Sequence, residues 1–127
     1  MTYQFRKHYT RDEARALLPK IRKWLDQIAQ LRKRLEHYEQ QLNPLLSTGA
    51  DLGGELVNRY VKTIAEIKAV LLEFGRREIQ IKDLDRGLID FPAIRGSKEV
   101  FLCWEQDEED IEYWHDLESG YAGREKL

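Results

Sequence analysis

The sequence contains one cysteine and lacks any long run of apolar residues. A single cysteine cannot form a disulfide within the chain, which favours a reducing compartment. No apolar run approaches the roughly 18 residues of a membrane-spanning helix, so we expect no membrane partner. The charges of residues 1–11 are followed by no apolar stretch, and we therefore expect no secretory signal. Together these absences predict a cytoplasmic protein.

Charged residues are plentiful but unevenly distributed along the 127 residues. Residues 1–43 contain ten Lys or Arg and five Asp or Glu, whereas residues 83–127 contain five and thirteen. We interpret this asymmetry as attraction between the two halves, within one chain or between subunits. Because the chain as a whole is not basic, nucleic acid is not the expected partner.

A capping box marks the start of a long helix. Thr10 and Glu13 have the spacing at which each side chain can accept a hydrogen bond from the other's backbone amide, so a helix should begin at Arg11. From there, apolar or aromatic residues fill every a and d position of a heptad pattern, which is typical of a coiled-coil-like seam. These residues are Ala14, Leu17, Ile21, Trp24, Ile28, Leu31, Leu35, Tyr38 and Leu42.

Prolines divide the helical part of the chain. Pro19 should kink the first helix or mark its restart, and Pro44 should end it at the preceding residue. Residues 43–54 hold three glycines and are predicted to form a loop. A second apolar stripe predicts another helix from about Glu55 to about Ile81, so the two helices should form an antiparallel hairpin. The seam of this second helix comprises Val57, Tyr60, Ile64, Ile67, Leu71 and Phe74.

Three leucines, Leu18, Leu25 and Leu72, lie outside these two stripes. These leucines give the hairpin a second apolar face, which must be buried against another part of the protein or another subunit. The C-terminal segment can cover part of it, and a second copy of the hairpin can cover the rest. We therefore predict a homodimer with a four-helix arrangement, in which the hairpin could also bind a protein partner.

After residue 82 the apolar period changes from that of a helix to that of strands. Turn signals separate short apolar runs, and we predict a three-stranded antiparallel meander, with strands at about 88–94, 99–105 and 111–116. The predicted fold class is therefore α+β. A single domain should contain a long helical hairpin, residues 10–82, followed by a small sheet and tail, residues 83–127.

The N-terminal residues give a weaker signal. Residues 2–9 alternate in a way that is consistent with a short edge strand. His8 has basic neighbours in the sequence, which is a poor setting for a bound cation. We interpret it as a surface histidine.

Several short blocks of residues resemble one family. The blocks are His8–Thr10, Asp12–Pro19, Lys82–Asp85, Gly87–Pro92, Leu102–Trp104, Tyr113–Asp116 and Gly120–Arg124. The Leu-Cys-Trp and Trp-His-Asp blocks are specific in combination, and the resemblance covers nearly the whole chain. The sequence resembles the family catalogued as domain of unknown function 2203. This resemblance implies a bacterial cytosolic protein and brings no established activity.

Cys103 and His115 are candidates for a pair of metal ligands, or for a nucleophile and its base. Strand register decides whether they meet. A five-residue loop, 106–110, would place both side chains on one face of the sheet, and a four-residue loop, 106–109, would place them on opposite faces. Hydrophobic matching favours the four-residue loop. We therefore predict that Cys103 and His115 do not meet.

Acidic residues around the start of the meander form the other candidate site. Oxygen ligands together with one imidazole suit Mg²⁺, Mn²⁺, Fe²⁺ or Zn²⁺, although the spacing matches no specific metal motif. The candidate metal ligands are Asp83, Asp85, Asp90 and His115, with Asp116 and Glu118 nearby in the sequence. The same carboxylates could instead be solvated turn residues.

Residues 120–124, Gly-Tyr-Ala-Gly-Arg, could hold an anion between backbone amides and Arg124. They lack the strand–loop–helix context of a phosphate loop. We therefore expect Arg124 to form an ion pair with the acidic segment.

Three functions follow from these patterns. The leading one is a non-enzymatic, homo-oligomeric interaction or structural protein that acts through its hairpin. The alternative is a metal-binding protein or metal-dependent enzyme that uses the acidic residues and His115. The third is a nucleic-acid binder whose contacts would be Arg11, Arg15, Lys20, Arg22, Lys23, Arg32, Lys33 and Arg34.

Overall fold

The computed structural model describes residues 2–47 and 54–127, and it contains two helices followed by five strands. The helices are α1 (Arg11–Ser47) and α2 (Glu55–Arg76), and the strands are β1 (Gln80–Asp83), β2 (Leu88–Arg95), β3 (Lys98–Glu105), β4 (Tyr113–Asp116) and β5 (Glu125–Lys126). All five strands form one antiparallel sheet in sequence order. The predicted α+β fold is confirmed, and β1 and β5 extend the predicted meander at its two edges.

Helix α1 begins where the capping box predicts. The hydroxyl of Thr10 accepts a hydrogen bond from the amide of Glu13 at 3.1 Å, and the carboxylate of Glu13 accepts one from the amide of Thr10 at 3.0 Å. The helix continues through Pro19 as one element and ends at Ser47. The prediction that it ends before Pro44 was wrong, because Pro44 lies in the last turn, where Ser47 donates a hydrogen bond to its carbonyl at 2.8 Å. The rest of the predicted loop, residues 48–53, lies outside the described residues.

Neither described helix has the length and apolar character needed to cross a membrane. Both helices bury apolar side chains at helical spacing. The buried apolar residues of α1 are Ala14, Leu18, Ile21, Leu25, Ile28, Leu31 and Leu42. On α2, Val70 and Phe74 are buried, whereas most of the predicted seam is half-buried. Leu18 and Leu25 are thus covered within the chain, and of the three leucines outside the stripes only Leu72, at 57%, is exposed.

The chain divides into two compact units, one of which is Trp24–Leu72. In this helical unit α1 and α2 run antiparallel. The hydroxyl of Tyr60 donates to Glu39 at 3.3 Å, and Arg34 lies 3.9 Å from Glu66. The other unit, Met1–Lys23 with Glu73–Leu127, contains the whole sheet.

Helix α2 ends at Arg76, five residues before the predicted Ile81. Glu78 adopts a positive φ of 56°, the left-handed conformation that commonly follows a helix. The amide of Ile79 donates to the carbonyl of Phe74 at 3.0 Å, which closes the last turn. The chain can then reverse into β1, whose first two residues lie within the predicted helix.

The described residues of the N-terminal segment, 2–10, form no strand, so the predicted edge strand was wrong. It is held instead by the carboxylate of Glu99, which accepts hydrogen bonds from the amides of Gln4 and Phe5 at 2.8 and 3.0 Å. The ring of His8 lies 2.7 Å from the same carboxylate and is partly buried. His8, interpreted from the sequence as a surface histidine, is thus half-buried, because it packs against a residue that is distant in sequence.

The centre of the sheet is covered on both faces, since every residue from Val100 to Trp104 of β3 is buried. On one face the guanidinium of Arg22, from α1, lies 4.9 Å from the ring centroid of Trp104. On the opposite face the ring of Phe5 lies 5.4 Å from that of Phe101. The first face therefore packs on α1, and the second lies beneath the N-terminal segment.

Candidate functional site

The register of β2, β3 and β4 brings three polar side chains together. Asp90 pairs with Cys103 across β2 and β3, and Phe101 pairs with His115 across β3 and β4. Because alternate residues of a strand share a face, Asp90, Cys103 and His115 lie on the same face. A carboxylate oxygen, the sulfur and a ring nitrogen all lie within 4.8 Å of one another. The prediction that Cys103 and His115 do not meet was therefore wrong.

Hydrophobic matching failed because β3 is buried on both faces, so an apolar side chain does not identify a core face. The matching also counted Ile111 as a strand residue. Ile111 is fully buried, but it precedes the start of β4 at Tyr113. Its carbonyl accepts a hydrogen bond from Arg11 at 2.6 Å instead of pairing with β3.

The cluster is closed to solvent. The side chains of Asp90 and His115 are each 1% exposed, and Cys103 is 0% exposed. Nε2 of His115 lies 2.9 Å from Oδ2 of Asp90, and its Nδ1 lies 2.6 Å from the carbonyl oxygen of Asp116. Oδ1 of Asp90 has no nitrogen or oxygen donor among the described residues. The thiol of Cys103 is hydrogen-bonded to the same carboxylate.

The hydrogen bonds of His115 fix its protonation. A carbonyl oxygen can only accept a hydrogen bond. Nδ1 of His115 therefore carries a proton and donates a hydrogen bond to the carbonyl oxygen of Asp116. Burial lowers the pKa of His115, but the hydrogen bonds to Asp90 and Asp116, with the charge of Asp90, outweigh burial and raise the pKa above its ordinary value. Below that raised pKa, His115 and Asp90 form a buried imidazolium–carboxylate pair.

The thiol of Cys103 is not an activated nucleophile. Burial, the nearby charge of Asp90 and the hydrogen bond to its carboxylate raise the pKa of this thiol to about 12. The guanidinium of Arg124 acts in the opposite direction, with Nη1 3.8 Å from the sulfur. The thiol is therefore protonated at neutral pH, which argues against the nucleophile–base interpretation of the pair.

Arg124, near the C-terminal end of the chain, covers the sulfur of Cys103. It forms an ion pair with Glu108, in the acidic loop before β4, as the sequence analysis expects. Its guanidinium also stacks on the rings of Tyr113 and Tyr121, at 3.7 and 4.6 Å from their centroids. Neither Glu108 nor Tyr113 was predicted as a site residue. Tyr113 belongs to one of the blocks that resemble the family, and the run of carboxylates in this loop was the signal for Glu108.

The other predicted acidic ligands lie outside the cluster. The carboxylate of Asp83 accepts a hydrogen bond from the amide of Arg86 at 3.1 Å, and that of Asp116 lies 2.8 Å from Nζ of Lys98. Asp85 and Glu118 are exposed. Across residues 2–47 and 54–127, the group of His, Cys, Asp and Glu side chains close enough to share one ion is that of Asp90, Cys103 and His115.

Several cations of the proposed nucleic-acid face are used within the chain. Arg15 forms two hydrogen bonds with the carboxylate of Asp110, at 2.8 and 2.9 Å. Arg22 donates to the carbonyls of Gln106 and Glu108, both at 2.8 Å. Both arginines hold the loop before β4 against α1, and the Arg15–Asp110 pair joins the basic and acidic parts of the chain.

The family model described as "Uncharacterized conserved protein (DUF2203)" matches residues 7–127. No curated protein and no solved structure matches the chain. The matched range includes both helices, all five strands and the whole cluster of Asp90, Cys103 and His115. The chain therefore belongs to the DUF2203 family of uncharacterized conserved proteins.

Proposed function

We propose that this protein binds a divalent metal ion through Asp90, Cys103 and His115. The observation that carries the proposal is the convergence of an oxygen, a sulfur and a nitrogen donor within 4.8 Å of one another, all on buried residues. Thiolate and imidazole favour Zn²⁺ and similar transition metals, whereas Mg²⁺ and Ca²⁺ prefer sites made of oxygen ligands. Zn²⁺ is accordingly the favoured ion.

The orientation of His115 supports this proposal. Because Nδ1 donates to the carbonyl of Asp116, the other nitrogen, Nε2, is directed toward the cluster. Loss of the proton on Nε2 would leave a lone pair directed at the ion. Metal-binding histidines commonly have this arrangement, in which the second ring nitrogen is held by a backbone carbonyl or a carboxylate.

Charge balance also supports a divalent ion. Without metal, and below the raised pKa of His115, the carboxylate of Asp90, the imidazolium of His115 and the thiol of Cys103 carry no net charge. An M²⁺ ion that replaces one proton on His115 and one on Cys103 leaves the net charge at zero. Burial therefore does not penalise the metal-bound state through an uncompensated charge.

Metal uptake provides the direct test. Tag-free protein refolded with Zn²⁺ or Co²⁺ and then desalted is expected to retain about one equivalent per chain, because the three ligands are buried together. Plasma mass spectrometry measures the stoichiometry, and a sulfur-to-cobalt charge-transfer band reports a bond to Cys103. Protein that retains no metal after refolding with either ion would contradict the proposal.

A second candidate function is self-association through α2. Val61, Ala65, Ala69 and Leu72 form an exposed stripe at helical spacing, and Val61 and Leu72 are each 57% exposed. The stripe is nearly symmetric about residue 67. In an antiparallel pair of α2 helices, Val61 would face Leu72 of the partner subunit, and the two alanines would permit close approach. This self-complementarity favours a second copy of the chain as the occupant.

Replacing Leu72 by aspartate tests this candidate. The wild type is expected to form a dimer, and Leu72→Asp to raise its dissociation constant at least about tenfold, because the carboxylate would be desolvated in the contact. Leu46, 60% exposed on α1 and outside the stripe, offers Leu46→Asp as a matched control. Sedimentation velocity over a range of concentrations measures the equilibrium. A wild-type mass that stays at the 15.1 kDa of one chain at every concentration would rule the dimer out.

A further inference from the structure

The proposed ligands are closed off from solvent, so an ion can enter only when part of the structure moves. Arg124 touches the sulfur of Cys103 from outside the cluster, at 3.8 Å. It belongs to residues 121–126, which comprise a 3₁₀ turn, Tyr121–Gly123, and strand β5. This segment is called the strap below.

The strap is lightly attached to the rest of the sheet unit. Its 3₁₀ turn has no buried residue, and β5 consists of two exposed residues paired with β4. Elements with few buried apolar contacts are those that open locally while the rest of a protein stays folded. The strap can therefore open locally while the strands that hold the three ligands stay folded.

Arg124 supplies the principal attachment of the strap. Its guanidinium is only 10% exposed, and it combines the ion pair with Glu108 and the stacking on Tyr113. A smaller attachment comes from Arg86, which stacks on Tyr121 at 4.3 Å and pairs with Glu105 at 2.8 Å. The contacts of Arg124 thus bridge the strap to both β4 and the acidic loop.

We propose that the strap is the gate of the Asp90–Cys103–His115 site and that Arg124 is its latch, an inference that rests on the metal binding proposed above. When Arg124 leaves Glu108 and Tyr113, the sulfur of Cys103 becomes accessible. The three ligands stay in place, because they belong to β2, β3 and β4. Metal entry and release are then governed by the opening of the strap and not by unfolding of the sheet.

Alkylation of Cys103, the single cysteine of the chain, tests the gate without any metal. Arg124→Ala is expected to accelerate labelling by iodoacetamide about 10- to 100-fold, through loss of a partly buried ion pair and of the stacking contacts. Arg95→Ala is the matched control, since Arg95 is exposed and stacks on Trp114 at 4.6 Å on the other face of β4. Labelling of this variant should match that of the wild type.

The charge of Arg124 allows the labelling test to distinguish greater access to Cys103 from greater reactivity of its thiol. Arg124 lowers the pKa of Cys103, so its removal alone would leave less thiolate and slow the labelling. Acceleration in Arg124→Ala therefore reports access and not thiol activation. Glu108→Gln provides a second variant that keeps the cation but weakens the latch, and it should accelerate labelling as well. Urea denaturation of each variant measures global stability for comparison.

The outcomes separate the gate from the metal. Equal labelling of Arg124→Ala and wild type, or acceleration that only follows a loss of global stability, overturns the gate. Acceleration in both latch variants, with Co²⁺ association accelerated in parallel, supports it. Failure of every variant to bind Co²⁺ overturns the proposed function, and the labelling rates then still decide whether the strap controls access to Cys103.

Discussion

Replacing Asp90 by alanine is expected to lower the free energy of unfolding of the metal-free protein by about 3–5 kcal/mol. Asp90 is 1% exposed, and its carboxylate is the partner of the equally buried His115. Removing one member of a buried pair leaves the other charge without compensation, which costs far more than the pair contributes over apolar side chains. Urea denaturation in the presence of a chelator measures the difference.

The loss should depend on pH with a definite sign. Because the pKa of His115 is raised on folding, the pair stabilises the folded state fully below the pKa of the unfolded chain, near 6.5. That stabilisation is lost as the pH rises through the raised pKa of the folded state. The loss in free energy of unfolding caused by Asp90→Ala should therefore be largest on the acid side of this pH window and smaller above it.

Two comparisons make the prediction specific. Glu55→Ala breaks the exposed pair with Arg59 on α2 and should cost no more than about 0.5 kcal/mol. Combining Asp90→Leu with His115→Phe removes both polar groups and should destabilise less than Asp90→Ala alone. Equal effects of Asp90→Ala and Glu55→Ala, or a deficit that grows with pH, would show that no buried ion pair exists.

The parts of the fold that depend on local chemistry were predictable. The capping box of Thr10 and Glu13 gave the start of α1, and the turn signals gave β2 and β3 to within one residue. Strands β1 and β5 were missed for a physical reason. They are four and two residues long, and strands this short form because a neighbouring strand offers hydrogen-bond partners, which leaves little trace in their own sequence.

The candidate site shows where prediction from the sequence ends. Asp90, Cys103 and His115 were each selected by residue type, but their grouping depends on register. A shift of one residue moves a whole strand to the other face, and only a one-sided core reveals the shift. Since Val100 to Trp104 are all buried, the apolar pattern carried no information about which side His115 occupies. The contact between His8 and Glu99 was missed for a different reason, since the two residues are 91 positions apart in the sequence.

Metal affinity is expected to rise steeply with pH, because the ion competes with protons for two of its ligands. Below the raised pKa of His115 both His115 and Cys103 are protonated, and binding releases two protons, so the association constant should rise about 100-fold per pH unit. Above that pKa only Cys103 releases a proton, and the rise should fall to about tenfold per unit. The pKa of Cys103, about 12, keeps this second regime in force throughout the accessible range.

Competition with a chelator of known affinity, repeated at several pH values, measures both slopes. Cys103→Ala should lower the affinity by at least about 100-fold, since even a lost second-shell partner costs 10- to 100-fold. At pH values below the pKa of His115, the variant should release one proton on metal binding where the wild type releases two. Its association constant should then rise about tenfold per pH unit and not about 100-fold. Asp85→Asn, an exposed carboxylate outside the cluster, should change neither quantity. Two results would instead place the ion at exposed carboxylates. One is that Asp85→Asn weakens binding as much as Cys103→Ala does. The other is an affinity that does not vary with pH, because only ligands that are already deprotonated release no protons on binding.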